Sequence, residues 1–118
     1  MQFRNTKQKS MILAAIHKYG HLSVEQIKEV LVDEKVSIAT IYRNLNILTL
    51  EGKIKKIYSD DLVLYETIKE EHYHFECCKC KNVIDIDPKF VNIKIDHSIA
   101  SAARKTLFLY GICPNCQK

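Results

Sequence analysis

Two C-x-x-C pairs, Cys77-Cys78-Lys79-Cys80 and Cys113-Pro114-Asn115-Cys116, constrain this chain more than any other feature. Each pair puts two sulfurs on one tight turn, and two such turns facing each other supply the four thiolates of a tetrahedral structural zinc. A thioredoxin-like redox pair and a rubredoxin-like iron site use the same spacing and stand as alternatives. The length, 118 residues, allows one medium domain or two very small ones. A unit of about 50 to 60 residues buries too little surface to be comfortable without a metal, a disulfide or a partner. An odd cysteine count, five, argues against a disulfide framework. Neither an apolar N-terminal stretch nor a run of about 18 apolar residues marks export or a membrane span, so the cytoplasm is the expected compartment. Cys78 reads as a spectator.

Charge is placed unevenly. Residues 1–58 hold ten Lys and Arg against five Asp and Glu, a net +5, so with +4 overall the other sixty residues sum to −1. A basic first half and a cysteine-bearing second half suggest two functional units, with nucleic acid as the partner of the first.

The first half reads as three helices. Asn5 or Thr6 caps one whose apolar positions Met11, Ile12, Ala15 and Ile16 share a face and which Gly20 stops. Ser23 opens a second, with Gln26 at the capping-box position and a turn over Asp33 to Lys35. Ser37 caps a third, in which Ile38, Ile41, Leu45 and Leu48 recur at helical spacing before Gly52. Ile54 to Tyr58 and Leu62 to Tyr65, around Ser59-Asp60-Asp61, then read as a β-hairpin. Three short helices and a hairpin make a winged-helix pattern, in which one helix enters the major groove and the wing reaches the backbone. Ser37, Thr40, Tyr42, Arg43 and Asn44 on the third helix carry groove and phosphate chemistry. Lys53, Lys55 and Lys56 add phosphate neutralisation, although a solvated charged face fits them nearly as well.

We place domain boundaries at 1–66 for the winged helix, 67–71 for a hinge and 72–118 for an α+β unit with strands around Tyr73, Phe75, Val83, Ile84, Ile86 and Leu107 to Tyr110, and a helix over Asp96 to Lys105. The second unit is short of core, so dimerisation and a metal staple are both expected. His72-Tyr73-His74 sets two imidazoles on one face of a strand, a plausible chelate. Mixed imidazole and carboxylate ligation suits divalent iron, manganese or zinc. His97 reads as a lone surface histidine.

Gly20-His21-Leu22-Ser23, Ser37-Ile38-Ala39-Thr40-Ile41-Tyr42-Arg43-Asn44-Leu45-Asn46, His72-Tyr73-His74-Phe75-Glu76-Cys77 and Gly111-Ile112-Cys113-Pro114-Asn115-Cys116 closely resemble the ferric uptake regulator (Fur) family, in order and over nearly the whole chain. The resemblance implies a homodimeric, metal-dependent transcription factor, not an enzyme, that binds palindromic double-stranded DNA. By motif it makes Cys77, Cys80, Cys113 and Cys116 the structural Zn2+ ligands. It makes His21, Glu66, His72, His74 and Asp85 a regulatory site for Fe2+ or Mn2+, with Zn2+ as a further option, and the Ser37 to Leu48 helix the reader of DNA. The chain starts close to its first motif, so a leading helix present in many members is expected to be missing or short. Arg104 to Phe108 lack the ligands of a further metal site. Glu66 resembles the iron-sensing branch, whereas Asp85 and the His-Tyr-His pattern resemble the peroxide-sensing (PerR) branch, towards which the reading leans. A thiol–disulfide oxidoreductase built on Cys113-Pro114-Asn115-Cys116 is the rival from another class.

Overall fold

A computed structural model describes residues 6–99 and 106–117, divided into two compact units, Met1–Lys69 and Glu70–Lys118. The first unit begins with α1 (Thr6–Tyr19), a two-residue β1 (His21–Leu22), α2 (Val24–Val30), a 3-10 turn (Val32–Glu34) and α3 (Ile38–Leu50). Strands β2 (Ile54–Tyr58) and β3 (Val63–Thr67) complete it.

Local chemistry explains the boundaries. Ser23 accepts from the Gln26 N–H at 3.2 Å while Gln26 Oε1 accepts from the Ser23 N–H at 2.8 Å, the reciprocal capping box expected from the sequence. Ser37 Oγ accepts from the Thr40 N–H at 3.1 Å and fixes the start of α3. Gly20 and Gly52 end α1 and α3 with φ of +88° and +74°, where a side chain would be strained. Thr6 stands inside α1 rather than capping it, and Asn5 lies outside the described residues.

Ile12, Ile16, Ile27, Ile41, Leu45, Leu48 and Ile54 form the centre of a continuous apolar core over which the three helices pack on the sheet. Ile38 follows the helical spacing but is 37% exposed, because it occupies the first turn of α3, away from that core. The sheet has the antiparallel order β1-β3-β2. Glu66 and Thr67, read from the sequence as the edge of a connection, lie within β3, and His21, which sits between the Gly20 stop and the Ser23 cap, lies in β1 opposite Glu66.

The second unit is a three-stranded sheet of order β5-β4-β6, from β4 (Tyr73–Cys77), β5 (Val83–Ile86) and β6 (Phe108–Gly111). β5 returns antiparallel to β4, whereas β6 runs parallel to it. A short 3-10 turn, Pro88–Phe90, is capped by Asp87. The helix expected over 96–105 falls mostly outside the described residues. At its expected start residues 97–99 form a turn, with the Ser98 N–H donating to Asp96 Oδ1 at 2.9 Å and the Ile99 N–H donating to the Asp96 carbonyl at 3.0 Å. Among the described residues, the buried apolar side chains of this unit are Tyr73, Val83, Cys77 and Cys113.

Leu45→Ala is expected to destabilise the first unit by about 3 kcal/mol, within the usual range for a fully buried leucine. Leu50→Ala, at a site 87% exposed, should stay within about 0.5 kcal/mol. Urea unfolding of zinc-loaded protein checks both.

Candidate metal centres

Each cysteine pair sits on its own turn. After β4 the chain reverses through Cys77 to Lys81, with the Lys81 N–H donating to the Cys77 carbonyl at 2.9 Å and Lys81 itself at a φ of 65°. After β6 the Cys116 N–H donates to the Cys113 carbonyl at 3.0 Å. The two turns are brought together because β4 and β6 are neighbours in the sheet, tied further by the Cys78 N–H donating to the Gly111 carbonyl at 2.7 Å.

The sulfurs of Cys77, Cys80, Cys113 and Cys116 all lie within 4.8 Å of one another. Cys80 Sγ and Cys113 Sγ are 3.8 Å apart. A tetrahedron with zinc–sulfur bonds of about 2.3 Å has sulfurs about 3.8 Å apart. The donor set therefore fits zinc, and these four groups could hold it. Backbone N–H groups of Cys80 and Cys113 donate to Cys77 Sγ at 3.4 Å each. Those donors favour the thiolate and pull the Cys77 thiol down from 9.0 to about 6. Cys116 goes the other way, pushed up to about 12, chiefly by its hydrogen bond with Cys113 and then by loss of water. Cys78, in the middle of the first pair, is exposed and outside the cluster.

A second cluster lies in the same unit. Side chains alternate along β4, so His74 shares a face with Asp85, its register partner on β5. His72 Nε2 and His74 Nε2 stand 3.9 and 3.6 Å from the same oxygen, Asp85 Oδ1. The His72 Nδ1 is 2.9 Å from the Glu70 carbonyl oxygen. A carbonyl oxygen only accepts, so Nδ1 is the donor in that contact and Nε2, on the Asp85 side of the ring, is the nitrogen placed to bind a metal. The His74 ring stacks on Phe108 at 5.0 Å between centroids and is buried. Two imidazole nitrogens and a carboxylate oxygen, all within 4.8 Å, form a donor set for a divalent transition metal. Phe108 and the Glu70 carbonyl, which hold the two rings, carry no metal-ligand spacing; the sheet register places Phe108 beside His74, and a local backbone contact places the Glu70 carbonyl at His72.

In the first unit, His21 and Glu66 face each other across β1 and β3. Glu66 is wholly buried, with Lys55 Nζ 3.4 Å from its Oε1. The expected DNA-contacting residues divide. Ser37, Tyr42 and Arg43 are exposed and Thr40 half-buried on α3, whereas Asn44 is buried with its Nδ2 donating to the Thr40 carbonyl at 2.9 Å. The apolar face of α3 draws Asn44 inward, where it braces the helix. Lys53 lies near Glu51, and Lys56 rests over the rings of Tyr58 and Tyr65 at 5.6 and 5.9 Å. His97 is exposed, and among the described residues it belongs to neither cluster.

Comparison with known proteins agrees with this geometry. The model of the ferric uptake regulator family matches residues 1–108, and the chain belongs to that family. It is 28% identical to the peroxide operon regulator of Bacillus subtilis (strain 168), over 98% of this chain and 85% of that protein. It is also 28% identical to the peroxide-responsive repressor PerR of Staphylococcus aureus (strain USA300), over 97% of this chain and 82% of that protein. The solved Helicobacter pylori ferric uptake regulator superposes with a TM-score of 0.78 at 25% identity, covering 98% of this chain and 83% of that one.

Zinc uptake by the metal-free protein at about pH 7.5 should release at least the Cys116 proton, and affinity should weaken as pH falls towards the Cys77 value of about 6. Without metal, the stability contributed by Cys77 is complete above about pH 9 and lost as pH falls through about 6, while that from Cys116 is complete below about pH 9 and lost as pH rises through about 12. An indicator-dye proton count during zinc titration checks the first statement. Cys113→Ser should lose zinc and unfold the second unit, as read by bound-metal analysis and circular dichroism.

Proposed function

We propose that this chain is a metal-dependent DNA-binding repressor that senses peroxide. In this reading His21 and Glu66 from the first unit and His72, His74 and Asp85 from the second hold one Fe2+ or Mn2+. Zn2+ at Cys77, Cys80, Cys113 and Cys116 serves structure alone. The observation that carries it is the pairing of imidazole with carboxylate in both units, at His21–Glu66 and at His72–His74–Asp85, on either side of a short connection in the chain.

A divalent cation held by these groups would supply the positive charge that their carboxylates and imidazoles share. The chain's own residues do the rest. His21 and Glu66 belong to the sheet on which α3 packs, so fixing them fixes the helix that carries Ser37, Thr40, Tyr42 and Arg43. Arg43 offers a bidentate donor to guanine or phosphate, and Ser37, Thr40 and Tyr42 donate to phosphate oxygens. Lys53 and Lys56 on the wing add salt-dependent affinity. Two copies of the chain present two such helices to a palindrome, and metal acts by populating the geometry in which both fit. The protein works in the cytoplasm in this reading; among the described residues no helix is long and apolar enough to cross a membrane.

The peroxide-responsive relatives and the His-Tyr-His pattern support a peroxide signal. Glu66 supports a second reading, in which the same site reports the level of the metal itself. A thiol oxidoreductase gains no support: the two cysteine pairs converge as one four-sulfur cluster, and the family is one of regulators.

Full-length protein loaded with manganese is expected to retain a palindromic duplex selected from a random pool, with affinity falling as salt rises. Retention should weaken by about tenfold or more in His74→Ala, in line with losing one ligand. Brief peroxide should abolish binding by anaerobically iron-loaded protein alone, with oxygen added to His21 or His72 by peptide mass. Binding that survives with both metals and unmodified peptides identifies the metal-level reading.

A further inference from the structure

The β1-β3-β2 sheet sets three side chains in one row: His21 on β1, Glu66 on the central β3 and Lys55 on β2. Residues directly opposite in antiparallel strands share a face. Glu66 therefore has an imidazole-bearing strand on one side and an ammonium on the other. Its side chain is fully buried, while that of Lys55 is 43% exposed, with Nζ 3.4 Å from Oε1. The separation is that of an ion pair and exceeds the roughly 2.7–2.9 Å of a charge-assisted hydrogen bond.

Resting on the reading of Glu66 as a metal ligand, we propose that Lys55 is a resident counter-cation that sets the metal affinity of the site and must withdraw from the carboxylate when metal is ligated. A buried carboxylate is costly unless its charge is compensated, and Lys55 compensates it. The same ammonium repels a divalent ion approaching the same oxygen. Withdrawal is cheap, because the lysine stem is flexible, its side chain is already 43% exposed and no tight hydrogen bond is broken.

The neighbours of Lys55 do not share this role. Lys56 alternates to the other face of β2, over Tyr58 and Tyr65, and Lys53 lies beside Glu51. Lys55 also belongs to the wing lysines that the sequence offers to phosphate, and an ammonium held at Glu66 is not available there. Metal and DNA phosphate then act in the same direction on one side chain. By linkage, whatever factor metal adds to DNA affinity through Lys55, DNA adds to metal affinity.

Manganese titration of the full-length, zinc-loaded protein without DNA, with free Mn2+ read by electron paramagnetic resonance, tests this. Lys55→Met should bind about tenfold more tightly than the parent, a change of about 1.4 kcal/mol. Lys55→Arg should stay near the parent because the charge remains, Lys56→Met should be indifferent, and Glu66→Gln should weaken binding by about tenfold or more. Equal or weaker binding by Lys55→Met, beside a weakened Glu66→Gln, overturns the role of Lys55 and leaves Glu66 a ligand. An indifferent Glu66→Gln overturns the ligand reading and this proposal with it. A test free of substitutions is amine acylation read by peptide mass: manganese should raise labelling of Lys55 several-fold relative to Lys56, and an unchanged ratio overturns the proposal.

Discussion

The second unit depends on the convergence of four sulfurs. Its described residues bury few apolar side chains, and two of those are the cysteines 77 and 113 themselves. A unit of about 50 residues with so small a core needs a cross-link, and a four-thiolate metal site supplies one while also placing β4 between β5 and β6. That placement has a second effect. With β4 fixed, His72 and His74 point at Asp85 on one side of the strand and His74 meets Phe108 on the other. The four-sulfur cluster and the His72–His74–Asp85 cluster thus share one strand, so what fixes the first also orients the second.

The first unit solves its stability differently. Its helices and sheet enclose a continuous apolar core, and the exposed side of α3 is left free for polar groups. Into this frame the chain inserts a buried charge, Glu66, on the central strand. A buried carboxylate is weak as a stabilising device and strong as a sensor, because its free energy changes steeply with the charge beside it. Lys55 and His21 flank it from the two neighbouring strands, so a change of partner at Glu66 is felt by the sheet that supports α3.

Much of this was legible in the residues. The capping pattern at Ser23 and Gln26, the cap at Ser37 and the stop at Gly52 are local signals, and the helices follow them. The cysteine pairs announce their cluster because two sulfurs per turn have few other uses. Less legible was anything that depends on pairing. His21 follows a helix stop and precedes a cap, so the sequence places it at a helix start, yet it joins a two-residue strand opposite Glu66. Asn44 carries groove chemistry by type and helix position, yet the packing of α3 turns it inward onto the Thr40 carbonyl. Lys55 and Lys56 are adjacent and alike in sequence, and strand alternation gives one a carboxylate and the other two aromatic rings.

By itself the sequence determined the three helices and the hairpin of the first unit, the two sulfur-bearing turns and the two imidazoles of the chelate, since each is fixed by spacing within a few residues, where backbone geometry leaves little choice. Only the tertiary structure decided which carboxylate meets which imidazole, which wing lysine is committed to a buried charge and which polar side chain of α3 faces away from solvent. Those outcomes rest on strand register and helix packing between residues far apart in the chain. There, burial and charge compensation over the whole unit outweigh local preference.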